Sequence, residues 1–223
     1  MEKIKMKTVV EDELSPILEY ARENNVPVLR NQTAKILELV TDLVKPLEIL
    51  EIGTAIGYSG SLMLKSGDPN SNLTTIEKDA DSYKIAKENF AKVGLKNRVT
   101  LFNDDAIVVL PKLTKKFDLI FLDGPKGQYI KYLPFLLSLL SPNGVMVADN
   151  VLYRGMILDD NLADKRNETI VKRMREFLLE LQNNPILKTI VLEIEDGVSI
   201  TLNKGVYSKL VDKMISTSRL SKN

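Results

Sequence analysis

Leu50-Glu51-Ile52-Gly53-Thr54-Ala55-Ile56-Gly57-Tyr58-Ser59 is the stretch whose reading decides the fold of this 223-residue chain. Apolar Leu47, Ile49, Leu50 and Ile52 predict a strand that runs into a glycine turn and then a helix. Glycine at such a turn lets the backbone pass close to a ligand, with no Cβ in the way. The first turn of the helix offers N–H groups that have no partner within the helix. A second predicted strand ends Thr74-Thr75-Ile76-Glu77, which places a carboxylate where ribose hydroxyls can donate to it. The pattern implies a site for a nucleoside-containing cofactor.

The spacing narrows the cofactor. The dinucleotide fingerprint G-x-G-x-x-G needs glycine at 53, 55 and 58, and the chain has Gly53, Ala55 and Tyr58. A pyrophosphate cradle, and with it a nicotinamide-dependent oxidoreductase, is therefore disfavoured. Glu51, Gly53 and Gly57 instead form E-x-G-x-x-x-G, which resembles motif I of class I S-adenosylmethionine-dependent methyltransferases. That cofactor carries ammonium and sulfonium charges and no phosphate, so acidic neighbours suit it.

Composition removes other chemistries. There is no cysteine, hence no disulfide framework, thiol nucleophile or thiolate metal site. There is no histidine, the commonest general base and transition-metal ligand. Any base must be Lys, Tyr, Asp, Glu or a metal-bound group, and any metal site must be all oxygen, which favours Mg²⁺, Ca²⁺ or Mn²⁺. A net charge of +1 gives no whole-chain field toward nucleic acid or membrane. Residues 1–10 lack the apolar core of a signal peptide and no run reaches membrane-span length, so a cytoplasmic enzyme with no membrane partner is expected.

Outward from the opening motif, periodicity predicts helices over residues 11–25 and 33–44, with an extended break at Val26-Pro27-Val28-Leu29. Strands follow at 47–52, 72–77, 99–103, 117–122 and 144–148, separated by helices at 58–65, 80–93, about 107–113 and 130–140. Ser141-Pro142-Asn143-Gly144 reads as a turn. A long helix at 168–183 precedes strands at 186–193 and 199–202, joined through Glu195-Asp196-Gly197 as a hairpin. The expectation is an α/β fold of class I methyltransferase (Rossmann-like) type. Its central sheet is mostly parallel with a C-terminal antiparallel hairpin, and helices lie on both faces. It is read as one domain: N-terminal helices over 1–45, a cofactor-binding core over 46–203, and a polar C-terminal extension over 204–223 that forms a surface helix or frayed tail.

Ligands in open α/β sheets bind beyond the carboxyl ends of the strands. Two such ends carry Asp: Phe121-Leu122-Asp123-Gly124-Pro125-Lys126 and Val147-Ala148-Asp149-Asn150. Two carboxylates and an amide oxygen make a hard cation site, although either Asp alone reads as well as a loop cap. Lys126, three residues beyond Asp123, would have a depressed pKa beside a divalent cation. It could then act as general base on a hydroxyl that the metal has acidified; a solvated surface lysine is the other reading.

Glu51 to Ser59, Glu77, Asp105-Ala106, Leu122-Asp123 with Lys126, and Asp149-Asn150 together resemble the cation-dependent O-methyltransferases of the catechol O-methyltransferase-like family, over about residues 10–203. The resemblance implies Mg²⁺ bound by Asp123, Asp149 and Asn150. It implies S-adenosylmethionine lined by Leu29, Glu51, Gly53, Gly57, Ser59, Glu77, Asp105, Ala106 and Asp123, with Asp105 and Ala106 near the adenine. Lys126 would be the base, and Asp123 would sit between metal and cofactor. Gly124-Pro125 departs from what relatives often carry before this lysine. Val26-Pro27-Val28-Leu29, Lys126-Gly127-Gln128-Tyr129, Asp149-Asn150-Val151-Leu152 and Asp196-Gly197 are similar to the bacterial branch that converts wobble 5-hydroxyuridine of tRNA to 5-methoxyuridine. That branch implies an anticodon loop as partner, and relatives imply a homodimer.

The metal site alone does not choose between tRNA and a small catechol-like diol, because both present two adjacent oxygens. Lys126, Lys131, Arg154, Lys165, Arg166, Lys172 and Arg173 are candidate phosphate contacts, or else the solvated face of a mixed-charge helix. A catalytically silent binding module on the same fold is a third reading. Such a module has no use for a metal pair and a base at the strand ends.

Overall fold

The computed structural model describes residues 13–162 and 165–203, apart from the side chains of Asn143 and Asp160. The expected C-terminal extension and the first ten residues lie outside that range. Two helices come first, Ser15–Glu23 (α1) with Pro16 in its first turn and Asn31–Val44 (α2). The alternating part then runs Glu48–Ile52 (β1), Tyr58–Ser66 (α3), Asn72–Glu77 (β2), Ala80–Lys92 (α4), Val99–Asn103 (β3), Ala106–Val109 (α5), Phe117–Leu122 (β4), Tyr129–Leu139 (α6) and Leu140–Asp149 (β5). Glu168–Asn183 (α7), Leu187–Leu192 (β6) and Val198–Asn203 (β7) close the described chain.

These seven strands form one sheet in the order β3-β2-β1-β4-β5-β7-β6. The first five pair in parallel, and β7 runs antiparallel to both β5 and β6. The central strands are apolar on both faces because helices cover both. Leu50, Ile52, Ile120 and Leu122 pack with Leu136 of α6 and Phe177 of α7. Ile49, Leu119, Phe121 and Val147 pack on the opposite face with Ile17, Leu37, Leu62 and Phe90 of the first four helices. Strand order reverses between β1 and β4, so the crevice above their carboxyl ends is the switch point at which such sheets bind ligands.

The predicted architecture is the observed one; α1 runs Ser15–Glu23 rather than over 11–25, α5 ends at Val109 rather than about 113, and two further local corrections have a physical reason. Ser141-Pro142-Asn143-Gly144 is not a turn between helix and strand, because β5 already begins at Leu140. Phe117 pairs with Leu140 and Leu119 with Val145, so two steps on β4 are matched by five on β5 and the surplus residues bulge from the strand. The second correction is the start of α2, at Asn31 rather than residue 33. The amides of Gln32 and Thr33 donate to Glu195 at 3.1 and 3.0 Å. A cap supplied from the far end of the chain leaves no local sequence signal.

The glycine turn after β1 is fixed by backbone geometry. Gly53 sits at φ +95, and a Cβ placed there would lie 2.2 Å from the carbonyl oxygen of Asp123. Gly57, at φ +87, heads α3, and a Cβ there would meet the edge of the Phe90 ring at 3.1 Å. Beneath the turn is a buried polar network. Ser59 and Thr75 donate to the two carboxylate oxygens of Glu51 at 2.5 and 2.6 Å, and the Thr54 and Thr75 hydroxyls lie 2.5 Å apart. It ties β1, β2 and α3 together. Glu51 is fully buried, and burial pushes its carboxyl up to about 7, against the lowering effect of the Ser59 and Thr75 hydrogen bonds.

Two expectations follow from this turn. Gly53→Ala forces strain at positive φ together with a clash against backbone, and is expected to cost more than about 3 kcal/mol in urea unfolding. Gly57→Ala meets a ring edge that can shift, and should cost distinctly less; equal losses would contradict the assignment. For Glu51, the fold favours the protonated acid. Its stabilising contribution is complete below the ordinary value of 4.5 and is lost as pH rises through about 7. The difference in melting temperature between Glu51→Gln and the parent should therefore move in favour of Gln from pH 5 to pH 8. A difference that stays flat with pH would refute a raised pKa.

Candidate active site

The crevice above β1 and β4 is divided into two cavities by the Gly53 turn and Asp123. The first, about 410 Å³, is lined among others by Ile76, Glu77, Lys78, Asp105, Ala106 and Tyr132. The second, about 280 Å³, is lined among others by Leu29, Arg30, Tyr58, Ser59, Asp149 and Asn150. Gly53, Ala55 and Asp123 line both. The first has an apolar floor and a carboxylate at the end of β2, as a nucleoside requires. The second gathers the predicted metal residues.

Glu77 reaches the turn directly. One carboxylate oxygen accepts from the Ala55 amide and the other from the Asp79 amide, each at 2.8 Å. Ala55 is held at φ +46, a conformation that the sequence does not announce. Asp105 caps α5 through the Ile107 amide and pairs with exposed Lys78 at 2.9 Å. The Lys78 hydrogen bond, with the Ile107 amide, holds the Asp105 carboxyl below its ordinary value. Lys78, Asp104, Gln128 and Tyr132 complete the first cavity, and the sequence reading missed all four. Asp104 and Gln128 carried a signal, the one by its place beside Asp105 and the other within the Lys126-Gly127-Gln128-Tyr129 motif.

Asp149 is almost buried at the end of β5, with the Asn150 amide donating to it at 2.7 Å. Burial, reinforced by the charge of Asp123, pushes its carboxyl up to about 6. Asn150 stands at φ +53, an arrangement tolerated by its short polar side chain. Among the described residues no three acidic, histidine or cysteine side chains are grouped so as to hold a metal ion by themselves, and the candidate donor set is Asp123, Asp149 and the Asn150 amide. This set fits Mg²⁺: all its donors are oxygen, it is too small to fill an octahedron alone, and the charge of Asp123 disfavours ionisation of Asp149, which a cation would reverse.

Lys126 departs from expectation. It lines neither cavity, and its ammonium lies behind Asp123, 2.7 Å from Oδ1 and 2.9 Å from the Tyr129 hydroxyl. Burial alone would lower its pKa, but Tyr129 and Asp123 outweigh burial and the net shift is upward. In this arrangement Lys126 is therefore an ammonium; the lowered pKa expected of it belongs to a site that holds a cation. Tyr129, also missed, is fully buried between the carbonyls of Leu122 and Asp149 at 3.0 and 3.2 Å. Its sequence signal was its place at the end of the Lys126-Gly127-Gln128-Tyr129 motif, which gave it no role.

Two further predicted residues do not reach either cavity. Glu51 lies beneath the turn, where it orients Ser59, and Gly57 serves the turn itself. Leu29, Gly53, Ser59, Glu77, Asp105, Ala106, Asp123, Asp149 and Asn150 all line one or both. Of the candidate phosphate contacts, Lys126 is turned inward, and Arg173 donates to the Gly127 carbonyl at 3.3 Å. Lys131, Arg154, Lys165, Arg166 and Lys172 are exposed.

Comparison with known proteins agrees with this geometry. The model of the O-methyltransferase family matches residues 10–204. A catechol O-methyltransferase of Niastella koreensis is 32% identical over 188 residues, which cover 80% of this chain and 83% of that one. The structure of TomG from Streptomyces achromogenes, an O-methyltransferase of tomaymycin synthesis in complex with SAM, superposes with a TM-score of 0.77 at 27% identity, covering 91% of this chain and 92% of that one. The SAH-bound Podospora anserina methyltransferase PaMTH1 gives 0.80 at 26% identity, with coverage of 91% and 92%. The chain belongs to the O-methyltransferase family, whose members take their methyl group from S-adenosylmethionine.

Proposed function

We propose that this chain is a Mg²⁺-dependent enzyme that methylates O5 of 5-hydroxyuridine in tRNA to give 5-methoxyuridine. The observation that carries the reading is the pair of cavities meeting at Asp123, one suited to a nucleoside and the other lined by an all-oxygen donor set. S-adenosylmethionine, when bound, supplies an electrophilic methyl group. A divalent cation at Asp123, Asp149 and Asn150, when bound, lowers the pKa of an acceptor hydroxyl.

The protein's own residues then have defined tasks. Glu77 retains lone pairs for ribose hydroxyls while its amide bonds fix it against the turn. Ser59 gives its proton to Glu51, so its oxygen presents lone pairs to the second cavity and suits the cofactor's ammonium. Leu29 and Tyr58 exclude water from one side of that cavity. The acceptor oxygen forms its bond to carbon as the sulfur–carbon bond breaks, and the hydroxyl proton must leave. Lys126 can take that proton only after passing its own to solvent, which requires the charge of Asp123 to be engaged elsewhere. Positioning accounts for much of such a transfer, since it needs no covalent help from the protein.

The preference for tRNA draws on the sequence similarity to the tRNA-modifying branch. Arg30 in the wall of the second cavity and exposed Arg154 just beyond the metal candidates support it. A cytoplasmic setting accompanies that substrate, and a homodimer would find apolar surface at exposed Leu39 and Leu43 of α2. The second reading, a small catechol-like diol, is favoured by the relative named as a catechol O-methyltransferase.

Transfer of a labelled methyl group to tRNA bearing 5-hydroxyuridine, and in parallel to catechol, with and without EDTA, separates the two. EDTA-sensitive labelling of tRNA at much higher kcat/KM is expected; labelling of catechol alone would make the second reading correct. Asp149→Ala should reduce transfer on the order of a hundredfold or more while SAH still binds, and a variant that fails to fold would assign Asp149 a structural role. Lys126→Ala should slow single-turnover transfer by roughly 10²–10⁴ with little change in SAH affinity; an unchanged rate would remove it as base.

A further inference from the structure

The turn that joins β6 to β7 lies far from the glycine motif in sequence, yet it holds two walls of the second cavity. It is closed by the Gly197 amide on the Ile194 carbonyl at 2.8 Å, with Glu195 at φ +57 and Gly197 at φ +83. On one side, the carbonyls of Gly197 and Asp196 accept from the amides of Val151 and Leu152 at 3.0 and 2.9 Å, and the Asp196 carboxylate accepts from the Arg154 amide at 2.5 Å. These contacts tie down the segment that follows Asp149 and Asn150. On the other side, Glu195 receives the amides of Gln32 and Thr33 and the Thr33 hydroxyl, the last at 2.7 Å. These bonds anchor the start of α2 and, just before it, the 27–30 segment that lines the cavity.

Thr33 connects this anchor to the candidate metal site. Its hydroxyl is 2.7 Å from Glu195 and 3.5 Å from Asp149 Oδ1. A hydroxyl has one proton, and the shorter distance assigns it to Glu195. Asp149 Oδ1, which already accepts from the Asn150 amide at 2.7 Å, is thereby spared a second donor and keeps a lone pair for a cation. Thr33 is itself buried, so it has no solvent alternative. The amide bonds also place a carboxylate at the positive end of α2, where the helix dipole favours it.

We propose that Glu195 is a positioning residue, which clasps the 27–33 segment to the β6–β7 turn and, by holding the Thr33 proton, keeps Asp149 free for a divalent cation. The metal half of this proposal rests on the cation reading above, and the clasp half stands on the hydrogen bonds alone.

Amide hydrogen exchange of the full chain, with Mn²⁺ and SAH titrations, tests it on Glu195→Ala and Glu195→Gln. Glu195 is exposed, so neither variant opens the core. In Glu195→Ala, exchange at Gln32 and Thr33 should accelerate by about tenfold or more, while Val151, Leu152 and the β4 amides keep their protection. Glu195→Gln, whose amide oxygen still accepts, should fall between. Mn²⁺ should bind several-fold more weakly to Glu195→Ala, with a smaller loss for SAH. Unchanged exchange at Gln32 and Thr33, or acceleration spread evenly over the chain, would overturn the clasp. Unchanged Mn²⁺ affinity would overturn the link through Thr33. A parent protein that binds no Mn²⁺ would fail the cation reading itself and leave the exchange result to decide the clasp.

Discussion

The close approach of the Gly53 turn to the backbone of Asp123 is the constraint on which the site depends. Ile52 and Leu122 are in register across two parallel strands, so β1 and β4 end level with each other. The Asp123 amide then donates to the Ile52 carbonyl, and the Gly53 amide to that of Ile76. Three strand ends are locked by these bonds, and the seam they leave admits no side chain at residue 53. The same seam is the common wall of both cavities. Groups held in the two cavities are therefore spaced by backbone, the least adjustable part of the protein.

Negative charge collects at this edge of the sheet, and each carboxylate has a different partner. Glu51 is satisfied by hydroxyls below the turn, Glu77 by backbone amides, Asp105 by Lys78 and Glu195 by the start of α2. Asp123 has Lys126. Asp149 has an amide and a distant hydroxyl, although it is among the most buried. That inequality separates the two roles carboxylates play here. The carboxylates with several donors shape the cavities, and Asp149 is the one that the proposed cation would serve.

The sequence made the fold legible because the strands of a doubly covered sheet are short apolar runs. Phe117–Leu122 and Val99–Asn103 could be bounded to the residue. The carboxylates at strand ends were legible for a related reason, since an Asp following such a run can only stand at the sheet's edge. What escaped depends on contacts between segments remote in the chain. Thr33 and Glu195 meet across 162 positions, and neither has a local pattern. Glu51 was read as a cofactor contact because its spacing belongs to the motif, but spacing does not reveal depth, and the residue lies under the turn. Lys126 was legible as a lysine three residues beyond Asp123, but its ion pair with Asp123 and its bond to a buried tyrosine depend on the packing of α6 against the sheet, which no local pattern supplies.

That tyrosine has a wider consequence. The hydroxyl of Tyr129 touches the last carbonyl of β4 and that of Asp149, while its ring packs edge-on against Phe177 at 5.4 Å. Adjacent strand ends are thus stapled from beneath, and the separation of the two aspartates does not rely on any loop. The surfaces that would greet a substrate belong to the 27–30 segment and to the stretch after Asn150, neither of which is part of the staple. The spacing of the strand ends is thereby set apart from the rim, which touches Asp149 through Thr33. A protein built this way can vary the shape of its rim while the two strand ends beneath keep their separation.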